Sequence, residues 1–81
     1  MSGDRERTGA PQPGETVSLV PGEYHVQGVI GTTPERFTVE AVGSVYAENG
    51  SRLVDVKGSL VRADGGPEPV PRYLSIVLGP A

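Results

Sequence analysis

Apolar and polar residues alternate through residues 37–62, and the only interruption is the dipeptide Asn49-Gly50. Successive side chains of a β-strand point to opposite faces of a sheet, so this pattern predicts two strands that each have one apolar face. Asn-Gly favours a two-residue type I′ turn between antiparallel strands, because both residues tolerate a positive φ. The segment therefore predicts one long amphipathic hairpin, with strands at 37–47 and 52–62.

The turn also predicts which residues face each other. With Asn49 and Gly50 at its centre, residues whose numbers sum to 99 are paired, which sets Ala41 opposite Gly58. The predicted apolar face holds Phe37, Val39, Ala41, Val45 and Ala47 opposite Leu60, Gly58, Val56 and Val54, and the polar face holds Thr38, Glu40, Ser44, Ser59, Lys57 and Asp55. Such strands would be about 36 Å long, more than the diameter of so small a domain. We expect the hairpin to curl at Gly43 and Gly58 or to project.

Shorter strands are predicted on either side of the hairpin. Val17 and Leu19 alternate with Ser18, and residues 20–23 carry the Pro and Gly of a type II turn. The next strand places Tyr24, Val26, Gly28 and Ile30 on one face and His25 and Gln27 on the other, and the last strand is built on Leu74, Ile76 and Leu78.

One segment allows a second interpretation. Thr33 as N-cap, Pro34 at the first helical position and Gly43 after the end would suit a short helix. The odd-numbered apolar phase that starts at Phe37 continues through Val45, which a helix does not require. We therefore favour a strand.

These elements predict an all-β protein, a small single-domain antiparallel sandwich or barrel of five to six strands around the long hairpin. Residues 1–15 have little to bury and are broken by Pro11, Pro13 and Gly14. We interpret them as a flexible N-terminal segment and residues 16–81 as the single β domain.

Composition narrows the classes of function. The chain has 81 residues and a net charge of −3, and this acidic balance opposes binding to nucleic acid, which needs clustered Lys and Arg. No segment reaches membrane-spanning length and no apolar leader is present. Cysteine is absent. We expect a cytoplasmic or virion-associated protein that binds neither nucleic acid nor membranes.

Residues with catalytic potential are few. His25 lies near Glu23, but it has no second histidine and no cysteine at metal-ligand spacing. Glu40 and Asp55 fall on the polar face of the predicted hairpin, where a solvated pair of carboxylates is the ordinary interpretation. We predict no enzyme activity, no metal and no cofactor.

Two surfaces are candidates for contact with a protein partner. Tyr46 and Leu53 should face each other on the otherwise polar side of the hairpin, with Val42 and Val61 farther along, although stabilisation of the hairpin explains the pair equally well. Pro67, Pro69 and Pro71 stiffen a loop that either docks on a partner or simply connects two strands.

The expected function is protein–protein contact in a noncatalytic structural or accessory subunit of a larger assembly, for example a virion decoration protein. The partner is another protein or a second copy of this chain, because a domain with a small core gains stability by oligomerisation. A regulatory or inhibitory module acting on another protein is the alternative, and a small-molecule-binding barrel comes third.

Overall fold

Six antiparallel strands make up the fold. The structure is a computed structural model that describes residues 10–80. Its strands are β1 (Thr16–Leu19), β2 (Tyr24–Val26), β3 (Val29–Ile30), β4 (Glu35–Glu48), β5 (Ser51–Leu60) and β6 (Arg72–Pro80). They form one sheet in the order β1-β4-β5-β6-β2-β3. The predicted all-β fold is confirmed, and β4 occupies the segment for which a short helix was the alternative.

The short link between β1 and β2 explains why the sheet curls. These strands are four positions apart in the sheet, which is about 19 Å when the sheet is flat. The link is the predicted type II turn, since Gly22 has φ 87° and the Glu23 N–H donates to the Val20 carbonyl at 2.9 Å. Such a turn brings its end residues within about 7 Å. The sheet is accordingly a half-barrel, with a radius of gyration of 12.1 Å.

The core fills the concave side of the half-barrel. Its buried members are Val17, Leu19, Tyr24, Phe37, Val39, Val54, Val56, Leu74, Ile76 and Leu78. The alternation predicted for β1 and β6 is confirmed, because Val17 and Leu19 of β1 and Leu74, Ile76 and Leu78 of β6 are buried. Phe37, Val39 and Val54 are the largest fully buried side chains. Apolar side chains thus occupy the interior that a small-molecule-binding barrel would offer to a ligand.

The turn of the main hairpin is as predicted. Asn49 has φ 53° and Gly50 has φ 82°, the two positive values of a type I′ turn. Tyr46 pairs with Leu53 at the third pair from the turn, in the predicted register. The Asn-Gly signal therefore identified the turn and the first few pairs correctly.

Two register shifts change the pairing farther from the turn, one after Val39 and one after Val42. Phe37 consequently pairs with Leu60, where the predicted register paired it with Arg62. Val42 is half-buried and packs against the core, whereas Ala41 is exposed. The predicted facing of these two residues is wrong, because a β-bulge adds a residue that sequence alternation does not reveal.

Gly58 lies at a close approach of β4 and β5. It pairs with Val39 and not, as predicted, with Ala41. A Cβ at this position would collide with the carbonyl oxygen of Thr38 and lie 2.9 Å from the ring of Phe37. The missing side chain therefore makes room for the fully buried Phe37.

The segment 24–30 is a tight hairpin and not the single strand that was predicted. Gln27 has φ 52° and Gly28 has φ 81°, so the chain reverses between β2 and β3. Ile30 pairs with His25, which sets it on the face opposite to Tyr24. The prediction was wrong because Gln-Gly is a weak turn signal, since a residue other than Gly, Asn or Asp rarely has a positive φ.

Residues before β1 contact the sheet, within the segment that was predicted to be flexible. Pro11 is buried and Ala10 packs against the core. The Gly14 N–H donates to the Val39 carbonyl at 2.7 Å, and the Val39 N–H donates to the Glu15 carbonyl at 2.8 Å. The remainder of the predicted flexible segment, residues 1–9, lies outside the described residues.

Candidate interaction surface

The face of the sheet opposite the core, here called the outer face, carries the side chains with functional potential. Directly paired residues of antiparallel strands share a face. One row of the outer face contains Tyr46, Leu53 and Val77, the next contains Asp55, Ser75, His25 and Ile30, and a third contains Lys57 and Tyr73.

Tyr46, Asp55 and Ser75 form a hydrogen-bonded cluster on this face. The Tyr46 hydroxyl lies 3.1 Å from both Asp55 Oδ1 and Ser75 Oγ, and Ser75 Oγ donates to Asp55 Oδ1 at 2.8 Å. The three residues come from β4, β5 and β6, so the cluster joins three neighbouring strands. Tyr46 therefore has a structural role in this chain before any partner is considered.

The outer-face row that contains Asp55, Ser75 and His25 does not form a catalytic triad. Nucleophilic catalysis by serine needs a histidine that accepts the serine proton and a carboxylate that orients the histidine. Here Ser75 lies between Asp55 and His25 in the sheet and donates directly to the carboxylate. Glu40 and Asp55 are both exposed. Residues 10–80 bring together no group of three or more His, Cys, Asp or Glu that could hold a metal ion.

Leu53 is covered by its own chain. Its exposed fraction is 2%, although it lies outside the main core cluster. Together with His25, Ile30 and Val77 it lines a surface cavity of about 280 Å³. The predicted pairing with Tyr46 is correct, and Leu53 is almost fully covered by residues of its own chain.

Val42 and Val61 do not extend a patch around Tyr46. Val42 packs toward the core, and the half-buried Val61 forms a β-bridge with Pro67 at the base of the proline loop. The structure therefore separates the four apolar residues that the regular register placed together, and Tyr46 is the member that remains half-exposed on the outer face.

The proline loop, residues 61–71, is held closed by local hydrogen bonds. The Arg62 N–H donates to the Gly66 carbonyl at 2.7 Å and the Glu68 N–H donates to the Leu60 carbonyl at 2.8 Å. Asp64 accepts from the Gly66 N–H at 2.9 Å and pairs with Arg62 at 3.1 Å. The hydrogen bond from the Gly66 N–H has the largest effect on the pKa of the Asp64 carboxyl and lowers it. The hydrogen bond from Arg62 lowers this pKa further.

Apolar surface is exposed beside this loop. Pro67, Pro69 and Pro71 are all exposed. Val70 is 62% exposed, and Tyr73 is 68% exposed while Lys57 Nζ lies 5.8 Å from its ring centroid. The loop thus remains a candidate contact surface, as its sequence predicted.

The edge of β4 is a further candidate, which sequence reasoning did not single out. β1 pairs with residues 35–38 of β4, and backbone hydrogen bonds from the preceding residues reach Val39. Beyond that point no strand within residues 10–80 pairs with this edge, so residues 41–48, here called the open edge, lack a neighbour opposite β5. The sequence did contain a signal for this edge, because the predicted hairpin strands were much longer than the predicted first strand.

Most side chains along the open edge are small or apolar, and Glu48 at its end is charged. Residues 41–47 contain no charged residue and no proline. Val45, which is on the core side, is 48% exposed. Proteins usually protect an edge strand with lysine, proline, bulges or a covering loop. The two register shifts protect the part before Val45, whereas residues 45–48 contain no lysine, no proline and no register shift and carry one charge, at Glu48.

Comparison with known proteins gives no assignment: no protein family matches this chain, nor does any curated protein or solved structure. No helix within residues 10–80 is long and apolar enough to cross a membrane.

Proposed function

We propose that this chain is a noncatalytic structural or accessory subunit whose function is protein–protein contact within a larger assembly. The observation that carries this proposal is the open edge of β4, residues 41–48, whose backbone groups have no pairing strand within residues 10–80, together with the half-exposed Val45. Strand addition to such an edge is a common mode of protein recognition, in which main-chain hydrogen bonds provide the affinity.

The distribution of exposed apolar side chains supports the same proposal. Val29 and Ile30 are 69% and 54% exposed on the other edge strand of the sheet, β3. Val70 and Tyr73 are exposed beside the proline loop. Single exposed apolar residues are ordinary, but here they lie in neighbouring pairs on edges and loops, where a partner has access.

The polar residues of the outer face favour a structural interpretation over a catalytic one. Asp55 and Ser75 bind each other and Tyr46, and Asp64 binds within its own loop. These groups satisfy neighbouring strands and turns, which is what a small scaffold needs to present its edges in a fixed geometry.

Size-exclusion chromatography with light scattering on the full chain tests this proposal. The chain has a mass of 8.4 kDa, so self-assembly gives a species of twice that mass or more. A protein that remains monomeric at every accessible concentration contradicts self-assembly, and would favour a regulatory module that acts on a different protein.

A further inference from the structure

Backbone geometry defines which groups of the open edge are free to pair. A two-residue turn makes its flanking residues, Glu48 and Ser51, a hydrogen-bonded pair. Hydrogen-bonded and non-hydrogen-bonded pairs alternate along an antiparallel ladder, so Tyr46 also directs its backbone groups toward β5. Val45 and Ala47 therefore direct their N–H and C=O groups away from β5, to the open edge.

We infer that the open edge is a homodimer interface, in which residues 44–48 of two copies pair antiparallel around a twofold axis at Tyr46. This inference rests on the proposed function and names its partner, a second copy of the chain. In this register Val45 of one copy exchanges reciprocal backbone hydrogen bonds with Ala47 of the other. The two sheets then become one continuous sheet across the axis.

The side chains fit this register. Val45 faces Ala47 of the second copy on the core side, which covers part of a valine that is 48% exposed in the single chain. On the outer face Tyr46 faces its own counterpart, and aromatic cross-strand pairs stabilise sheets. The Tyr46 hydroxyl remains available for Asp55 and Ser75, which lie toward the opposite side of the strand.

The charges at the open edge also permit association with a second copy of the chain. The chain carries a net charge of −3, so two copies carry net charges of the same sign. In the inferred register Glu48 lies opposite Ser44 of the second copy, and no two like charges are directly paired. The uncharged run 41–47 therefore offers a self-complementary stretch in an acidic protein.

Proline at position 47 tests the inference. The N–H of Ala47 has no partner in β5, so Ala47→Pro removes a donor from the open edge and leaves the hairpin bonds intact, as at tolerated edge positions. Because the interface is twofold symmetric, each dimer loses two backbone hydrogen bonds. We therefore expect dimerisation to weaken roughly 30-fold. The matched control is Ala47→Thr, which keeps the donor and should dimerise like the unmodified chain.

Sedimentation velocity over a concentration series measures the effect, with circular dichroism at low concentration to compare the folded monomers. Normal association of a folded Ala47→Pro variant would overturn the inference, while the proposed function would stand through another surface. A purely monomeric unmodified chain would overturn both the inference and self-assembly. Association that appears only after residues 1–9 are deleted would show instead that this segment occupies the edge, and would also overturn the inference.

A cysteine pair tests the register without proline. The natural chain has no cysteine, so the double variant Ser44→Cys/Glu48→Cys introduces thiols that lie opposite each other across the inferred axis. Mild oxidation should convert this variant to a covalent dimer much faster than Ser44→Cys alone. Equal rates for the two variants would contradict the register even if the proline variant failed to fold.

Discussion

Replacement of Gly58 by alanine tests the packing of the main hairpin where β4 and β5 approach closely. A Cβ at this position meets the Thr38 carbonyl oxygen and lies 2.9 Å from the Phe37 ring. Phe37 has an exposed fraction of 0%, so the ring has no space into which it can move. Relief of the contact requires β4 and β5 to separate where they are paired.

The expected cost follows from these contacts. An extra group in a well-packed core typically costs about 1–3 kcal/mol, and the involvement of a backbone carbonyl places Gly58→Ala near the upper limit, about 3 kcal/mol. A chain of this length has a free energy of unfolding of about 4–12 kcal/mol. The melting temperature should fall by about 12–24 °C.

Urea denaturation followed by circular dichroism measures this loss, and Gly43→Ala is the matched control. Gly43 lies on the same strand pair but is exposed, and a Cβ there would lie 3.3 Å from the Asp55 carbonyl oxygen. We expect the control to change the free energy of unfolding by less than about 1 kcal/mol. Equal stabilities of Gly58→Ala and the unmodified chain would refute the described β4–β5 register.

Two further variants and one titration test other parts of the structure. Leu53→Ala should lower the free energy of unfolding by about 2–5 kcal/mol, because Leu53 is 2% exposed; a change near zero in urea denaturation would show that the side chain is a surface residue. The pKa of Asp64 is lowered in the folded chain, so the ionised carboxylate stabilises the fold at pH values above the ordinary pKa of 3.8. This stabilisation is lost as the pH falls through the lower pKa of the folded state. Carboxyl NMR titration should therefore give a midpoint below 3.8, and a midpoint at or above it would contradict the described loop. Deletion of residues 1–14 should cost at least about 1 kcal/mol more than deletion of residues 1–9, because Pro11 is buried and Gly14 binds Val39; equal melting temperatures would exclude a structural role for residues 10–14.

Local signals in the sequence were sufficient for much of the fold. The Asn49-Gly50 turn, the Pro21-Gly22 turn and the buried alternation of the last strand all depend on neighbours in the sequence, and all are as predicted. The register beyond Val42 depends on bulges, whose extra residues are chosen by contacts across the sheet. Those contacts are not visible in the sequence alternation.

The candidate surface was predicted less well for the same reason. The cross-strand pair of Tyr46 and Leu53 is local to the turn and is present. The burial of Leu53 depends on residues distant in the sequence, among them Ile30, which the unexpected turn at Gln27 carries to the outer face. The open edge follows from the difference in length between β1 and β4, and the sequence contained that difference.

Intermolecular contacts measured by NMR test the inferred assembly most directly. A sample that mixes isotope-labelled and unlabelled chains reports only contacts between copies. The account predicts intermolecular nuclear Overhauser effects from Val45 of one copy to Ala47 of the other, which disappear in the Ala47→Pro variant. An associated sample whose intermolecular contacts lie elsewhere, for example at Val70 and Tyr73, would contradict pairing through the edge of β4.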